Sequence, residues 1–83
     1  MKIYDFGGKK NISGDRIHQM RTARRLSQAD LAARMQVEGI MIEREAISKI
    51  ETGDRFVADY ELVGFAKVLG VTVLWLTEQE EKE

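Results

Sequence analysis

The chain has 83 residues with a formal net charge of −1, and it contains neither cysteine nor proline. This length supports one small domain, and the absence of cysteine excludes disulfides, zinc–thiolate sites and thiol nucleophiles. A hydrophobic fraction of 43% with 33% charged residues is typical of a folded domain rather than a disordered one. Taken alone, the nearly neutral sum gives no overall attraction to nucleic acid or to a membrane.

The charge is distributed unevenly along the chain. Residues 1–57 hold eleven Lys and Arg against eight Asp and Glu, whereas residues 58–83 hold two against six. The nearly neutral total therefore does not count against DNA binding by the N-terminal part. It does predict a weak non-specific affinity, because electrostatic attraction supplies most of that affinity.

The apolar segments are too short to span a membrane. The longest apolar run is Val73-Leu74-Trp75-Leu76, whereas a membrane span needs about 18–20 apolar residues. The segment Met1-Lys2-Ile3-Tyr4-Asp5-Phe6 lacks the apolar centre of a signal peptide. The expected location is therefore cytoplasmic.

The two ends of the chain differ from its centre. Residues 1–12 lack a clear hydrophobic period, so we interpret them as an N-terminal arm in which Gly7 to Asn11 form a flexible stretch. Lys9 and Lys10 could be a solvated part of this arm or could reach DNA, as basic arms do beside some DNA-binding domains. Residues 79–83 form an acidic tail that is expected to fray. The domain itself is assigned to residues 13–78.

The first two predicted helices lie at about 13–25 and 28–37. In the first, Ser13 is the expected N-cap residue, and Ile17 and Met20 share one face. The second begins with the clearest signal in the chain, because Ser27 and Asp30 have the spacing of a capping box. Leu26 and Leu31 occupy the positions of a hydrophobic staple around it.

Three further helices follow, at about 43–52, 59–69 and 73–78. In the first of these, Ala46, Ile47 and Ile50 form the inner face, and Gly53 ends the helix. The expected N-cap residues of the next two are Asp59 and Thr72. The sequence therefore predicts an all-α fold, a compact bundle of five helices.

A well-capped short helix followed by a helix with a polar outer face is the pattern of a helix-turn-helix. In such a motif the N-terminus of the first helix approaches a DNA phosphate, here at Gln28. The second helix presents long polar side chains to base edges in the major groove. Here those side chains are Arg44, Glu45, Ser48 and Lys49.

Three blocks of sequence, in order, resemble the phage-repressor/Cro-type helix-turn-helix, or XRE family. They are Arg21-Thr22-Ala23-Arg24-Arg25-Leu26-Ser27-Gln28-Ala29-Asp30-Leu31-Ala32, then Ile47-Ser48-Lys49-Ile50-Glu51-Thr52-Gly53, and then Val68-Leu69-Gly70-Val71-Thr72-Val73-Leu74-Trp75-Leu76. The resemblance covers about residues 15–77 and implies a lambda repressor-like DNA-binding domain that binds double-stranded DNA as a homodimer.

Site residues follow from this resemblance by position. Arg44, Glu45 and Lys49 fall at base-reading positions. The expected phosphate contacts are Gln28 at the start of the second helix and Thr52, Gly53 and Arg55 at the end of the third. The resemblance also implies that Arg21 and Glu51 form a partly buried ion pair joining the first helix to the third.

The chain departs from the family pattern between the second and third helices. Residues 35–43 form a turn about five residues longer than the spacing common in the family. Positions 42 and 43 hold Ile and Glu, neither of which is a preferred N-cap residue, so the sequence does not identify the N-cap of the third helix. The longer turn likewise leaves the angle of the third helix undetermined.

Less specific interpretations stand beside these. The polar face of the third helix could be merely solvated, Gln28 could be only a helix former, and His18 is interpreted as a surface or boundary residue rather than a ligand. Trp75 is expected in the core or at a dimer contact.

The leading functional prediction is a sequence-specific transcriptional regulator, expected to be a repressor that occupies an operator. The alternative is an antitoxin-like or adaptor module that keeps the fold and binds a protein. No catalytic set, metal-binding cluster or cofactor motif occurs in the sequence, so we expect neither enzymatic activity nor a cofactor.

Overall fold

The computed structural model describes residues 6–79, in which five helices form. In chain order they are α1 (Gly14–Ala23), α2 (Gln28–Val37), α3 (Arg44–Thr52), α4 (Asp59–Leu69) and α5 (Val73–Leu76). The prediction of an all-α, five-helix bundle is confirmed. Over the described part of the chain, no helix combines the length and the apolar character needed to cross a membrane.

The inner faces of all five helices pack into one core. α3 packs against both α1 and α2, while α4 packs against α1, α2 and α5. The fully buried side chains come from every helix and from the turn before α3: Ile17, Leu31, Met35, Ile42, Ile47, Ile50, Phe65, Leu69 and Leu76. The position of α3 is therefore fixed by apolar contacts on two sides.

Two of the predicted helix starts are confirmed. The Asp30 N–H donates to Ser27 Oγ, and the Ser27 N–H donates to the Asp30 carboxylate, both at 2.9 Å. Leu26 and Leu31 are buried beside this capping box, as a hydrophobic staple requires. At α5, the Trp75 N–H donates to Thr72 Oγ1 at 2.9 Å.

Of the other two predicted N-caps, Ser13 stands at the N-cap position but its side chain does not cap the helix, and Asp59 is not the N-cap residue. Ser13 has a helical backbone and makes no capping hydrogen bond; Asn11 Oδ1 accepts from the Gly14 N–H at 2.8 Å instead. α4 follows Ala58 rather than Asp59, and the Glu61 carboxylate reaches back to accept from the Ala58 N–H at 3.0 Å. At α1 the Asn11 side chain therefore supplies the cap, whereas at α4 Glu61 makes only its own half of a capping box, because Ala58 has no side-chain oxygen.

The first and last helices are shorter than the sequence predicts. α1 ends at Ala23 rather than Arg25, because Arg25 adopts a left-handed backbone with φ of 61°. α5 ends at Leu76, and Glu78 turns away with φ of 62°. Residues 80–83 of the predicted tail and residues 1–5 of the predicted arm lie outside the described residues.

The long turn between α2 and α3 is ordered by a Schellman ending. Gly39 has φ of 86°; its N–H donates to the Gln36 carbonyl at 2.9 Å, and the Ile40 N–H donates to the Met35 carbonyl at 3.0 Å. Ile40 then packs against the small Gly64 of α4. α3 follows with Glu43 at its N-cap position and no side-chain cap.

Residues 6–11, which we call the 6–11 segment, are not the loose stretch expected from Gly7 and Gly8. Phe6 and Lys9 pair across these glycines, which both have positive φ, the backbone of a tight hairpin turn. Asn11 Nδ2 donates to the carbonyls of Ile50 at 3.0 Å and Arg55 at 2.8 Å. The segment is therefore bound to the C-terminal end of α3.

Candidate nucleic-acid interface

The outer face of α3 carries the predicted base-reading residues. Arg44 and Glu45 lie at its first turn, with 61% and 73% of their side chains exposed, and Lys49 is exposed one turn later. Ser48 is half-buried between them. Because Ile47 and Ile50 fix the opposite face in the core, this polar face points away from the bundle.

The Arg44 and Glu45 side chains constrain each other little. Arg44 Nη2 lies 3.8 Å from Glu45 Oε2, a long separation between two exposed groups. Such surface pairs contribute about 0–1 kcal/mol. Both side chains can therefore leave this contact for a ligand at small cost.

Glu51, near the end of α3, is the centre of a hydrogen-bond network. Arg21 donates to it through Nε to Oε2 at 2.7 Å and through Nη2 to Oε1 at 3.0 Å. The two side chains are only 11% and 5% exposed. Arg21 Nη1 also donates to the Leu26 carbonyl at 2.8 Å. The pair predicted between Arg21 and Glu51 thus has a bidentate geometry and also holds the connection between α1 and α2.

Two further side chains complete this network. Gln28 Nε2 lies 3.1 Å from Glu51 Oε1 and donates to it, and His18 Nδ1 lies 2.9 Å from the same oxygen. The sequence analysis assigned neither residue to Glu51. The spacing of His18, three residues before Arg21 on the same helix face, was the available signal.

The network keeps both members of the pair ionised. Burial raises the pKa of Glu51, but hydrogen bonds from Arg21, His18 and Gln28 outweigh it and hold that pKa below its ordinary value. The hydrogen bond to Glu51 likewise raises the pKa of Arg21. Gln28, the predicted phosphate contact, is therefore held at the start of α2 by a fixed carboxylate.

The predicted phosphate contacts at the end of α3 are engaged in different ways. The Thr52 hydroxyl lies 3.1 Å from the Lys49 carbonyl and 2.9 Å from the Asp54 carboxylate. Gly53 is buried; its N–H donates to Ile50 at 3.1 Å, and the aliphatic part of Lys9 covers it. The structure thus places Gly53 beneath Lys9 rather than at the surface.

Arg55 forms a second bidentate ion pair, which the sequence analysis missed. Its Nη1 and Nη2 donate to Glu61 Oε1 and Oε2 at 2.9 Å and 3.1 Å. Burial raises the pKa of Glu61, but the bonds from Arg55 and the Ala58 N–H outweigh it and lower that pKa. Glu61 stands at the third position of α4, where a Glu typically bonds back to the helix start, and this was the available signal.

Trp75, expected in the core or at a dimer contact, is a core residue of the single chain. It is 4% exposed, its ring lies 4.8 Å from the Arg16 guanidinium carbon, and its carbonyl accepts from Arg16 Nη1 at 2.8 Å. The exposed apolar side chain of α5 is Leu74, at 56%. A partner meeting α5 would therefore contact Leu74 and not the Trp75 ring.

Comparison with known proteins agrees with this geometry. Residues 14–75 match the helix-turn-helix domain family. The crystal structure of the restriction-modification controller protein C.AhdI from Aeromonas hydrophila is similar, with a TM-score of 0.66 and 30% sequence identity over 77% of this chain and 86% of that chain. The comparison with curated proteins finds no match. The chain therefore belongs to the XRE-like helix-turn-helix family of DNA-binding proteins.

Proposed function

We propose that the chain is a sequence-specific transcriptional regulator that places α3 in the major groove of an operator. The observation that carries this proposal is the outer face of α3. It is polar, largely exposed and held by a core that fixes its opposite side. The domain that acts in this way spans residues 13–78, and its expected location is the cytoplasm.

Base contacts are assigned to the four outer residues of α3 by their chemistry. Arg44 and Lys49 can donate to the O6 and N7 acceptors of guanine, and Glu45 can accept from the amino group of cytosine. Ser48 can pair with either kind of edge. Glu45 lies where a negative charge would repel phosphate, and this favours a base contact for it.

Phosphate contacts are assigned to the ends of the two helices of the motif. Gln28 stands at the N-terminus of α2, where backbone N–H groups and the helix dipole favour an anion. Thr52 and Arg55 lie at the other end of the site, beside the buried Gly53. Such contacts set the register of the protein on DNA without reading the sequence.

Repression by occupying an operator is the regulatory mode we propose. The similarity to a protein described as a restriction-modification controller supports a role in controlling gene expression. With one small domain per chain, two copies are needed to read two half-sites. The proposed partners are therefore double-stranded DNA and a second copy of the chain.

The test of this function is selection of bound sequences from a random pool of double-stranded DNA. We expect enrichment of one short motif in two copies, with an affinity at least about 10³-fold above that for random DNA. Recovery of an unbiased pool, or equal affinity for the selected and random duplexes, would overturn the proposal.

Substitution of the base-reading residues tests the role of α3. Arg44→Ala and Lys49→Ala should each cost about 1–3 kcal/mol of binding free energy on the selected duplex, because each removes a base contact. The matched control is Arg34→Ala with Lys67→Ala, which removes two positive charges beside Glu38 on the α2–α4 side. If the Arg44→Ala, Lys49→Ala double variant binds the selected duplex as well as this control does, α3 does not read the bases.

The alternative of a protein-interaction module was based on Trp75, on the additional N-terminal residues and on the acidic tail. Trp75 is buried, and the 6–11 segment is bound to α3. Tail residues 80–83 lie outside the described residues. Neither Trp75 nor the 6–11 segment therefore favours that alternative over DNA binding.

A further inference from the structure

The C-terminal end of α3 offers little uncompensated positive charge of its own. Gly53 is buried, Arg55 is paired with the Glu61 carboxylate, and the Thr52 hydroxyl faces Asp54. In the proposed DNA complex this end lies beside the phosphate backbone. Beyond the partly compensated Arg55, further positive charge for the backbone at this end has to come from another part of the chain.

The 6–11 segment brings two lysines to this place. The Lys10 N–H donates to the Gly53 carbonyl at 2.8 Å, and the side chain of Lys9 lies over Gly53. Lys10 Nζ is 5.8 Å from the centre of the Phe56 ring. Both lysines therefore lie against the turn that ends α3.

The segment is fixed before any DNA binds. Asn11 joins it to Ile50, to Arg55 and to the start of α1 through three hydrogen bonds of 2.8–3.0 Å. A loose arm must become ordered when it binds, and this ordering costs free energy for each residue. Here much of that ordering is already present in the free protein.

The charges of both lysines are available to an anion. The Lys9 ammonium lies 3.4 Å from Asp15, and both side chains are well exposed, so this pair is weak. Within residues 6–79, Lys10 has no carboxylate partner, and its side chain contacts the Phe56 ring instead. A phosphate can therefore replace these contacts at small cost.

We propose that the 6–11 segment is a preformed phosphate-binding element, in which Lys9 and Lys10 contact the DNA backbone at the C-terminal end of α3. The inference rests on the proposed function, since it assumes that α3 lies in the major groove. It assigns to the N-terminal segment a positioning role on DNA, without base recognition.

The test is the salt dependence of binding to the selected duplex. In the Lys9→Gln, Lys10→Gln variant, the slope of log K against log salt should be smaller by about 1.8, since each phosphate contact contributes about 0.9. The selected base motif should stay the same. The Arg34→Gln, Lys67→Gln variant removes the same charge elsewhere and should keep the wild-type slope.

A scan of the duplex with single neutral methylphosphonates locates the contacts. The wild type should lose affinity at phosphates flanking the half-site, and the lysine variant should be insensitive at one or two of those positions. An unchanged salt slope or an unchanged scan in the lysine variant would overturn this inference and leave the proposed function intact. Failure of the wild type to select any sequence would overturn both.

Discussion

A single carboxylate joins α1 to the two helices of the proposed DNA-binding surface, α2 and α3. Glu51 on α3 accepts hydrogen bonds from Arg21 on α1 and from Gln28 on α2. The Glu51 carboxylate is almost fully buried, so its charge is compensated by these donors rather than by water. Packing and charge together therefore make Glu51 a residue that positions α1, α2 and α3 relative to one another.

Glu51→Ala should lower the free energy of unfolding by about 3–5 kcal/mol, because it leaves the Arg21 guanidinium buried without its partner. Urea unfolding measures this change. The matched control is Glu38→Ala, which breaks the more exposed pair with Lys67 and should cost less than about 1 kcal/mol. Similar losses for both variants would mean that the Arg21–Glu51 pair contributes no more than a surface contact.

Stability should fall in acid for the same reason. The pKa values of Glu51 and Glu61 are both held below the ordinary value of Glu. Their contribution is complete above the unfolded-state pKa of about 4.3 and is lost as the pH falls through the lower folded-state values. Urea unfolding between pH 7 and pH 3 should show a decline beginning near pH 4.5, and a smaller decline in Glu51→Gln. A flat profile would contradict this.

At the scale of elements, α1 approaches the end of α3 closely at Gly14. A Cβ added at Gly14 would collide with the Ile50 backbone carbonyl, and a backbone atom cannot move aside cheaply. This carbonyl also accepts the Asn11 amide. Gly14 is therefore required by crowding, since its backbone is helical.

Gly14→Ala should thus destabilise the protein by about 1–3 kcal/mol, although alanine is the better helix former. Thermal unfolding followed by circular dichroism measures the change. Gln19→Ala, at an exposed position of the same helix, is the control and should change the stability by less than about 0.5 kcal/mol. A stabilising effect of Gly14→Ala would show that α1 can move away from Ile50 freely.

Local features of this fold could be predicted from residue identities, whereas the one long-range contact that was predicted, Arg21–Glu51, followed only from the family resemblance. The capping box at Ser27 and Asp30 depends on residues three apart, so their identities are sufficient to find it. Asn11 instead bonds to backbone carbonyls 39 and 44 residues away, which no side-chain pattern marks. Gly7 and Gly8 therefore led to a prediction of flexibility, although the tertiary hydrogen bonds of Asn11 hold this segment in place.

The same distinction applies to the site. The outer face of α3 could be predicted because helical periodicity separates it from Ile47 and Ile50. For Trp75 the sequence left two places open, the core and a dimer contact, and only the packing of the fold places it in the core. Similarly, the sequence predicts that Gly53 ends α3, but it does not predict that the Lys9 side chain covers Gly53. That contact depends on the fold.

At the scale of the whole molecule, charge and size determine how the protein could meet DNA. The excess of positive charge lies in residues 1–57, which include α1 to α3, and the negative excess lies in residues 58–83. The net charge of −1 leaves little general attraction to DNA. The affinity for a specific DNA sequence should therefore depend on base contacts and on dimerisation.

Two copies can be accommodated on one face of a duplex. The described chain measures 38 × 28 × 20 Å, and adjacent major grooves on one face lie about 34–36 Å apart. We expect the two copies of the selected motif to be centred about 10–10.5 base pairs apart, or at a multiple of that distance. Sequencing of the selected pool measures this spacing directly.

Insertion of five base pairs between the half-sites tests whether the two chains bind as a joined pair. The insertion turns one half-site to the opposite face of the helix, so a homodimer with a fixed interface can engage only one of them. Affinity should fall to that of a duplex with a single half-site, as measured by gel shift. A spacer of the original length with altered sequence is the control and should bind nearly as well as the selected duplex. Equal affinity for the inserted and original duplexes would show that the chains bind independently, and the proposed homodimer would have to be abandoned.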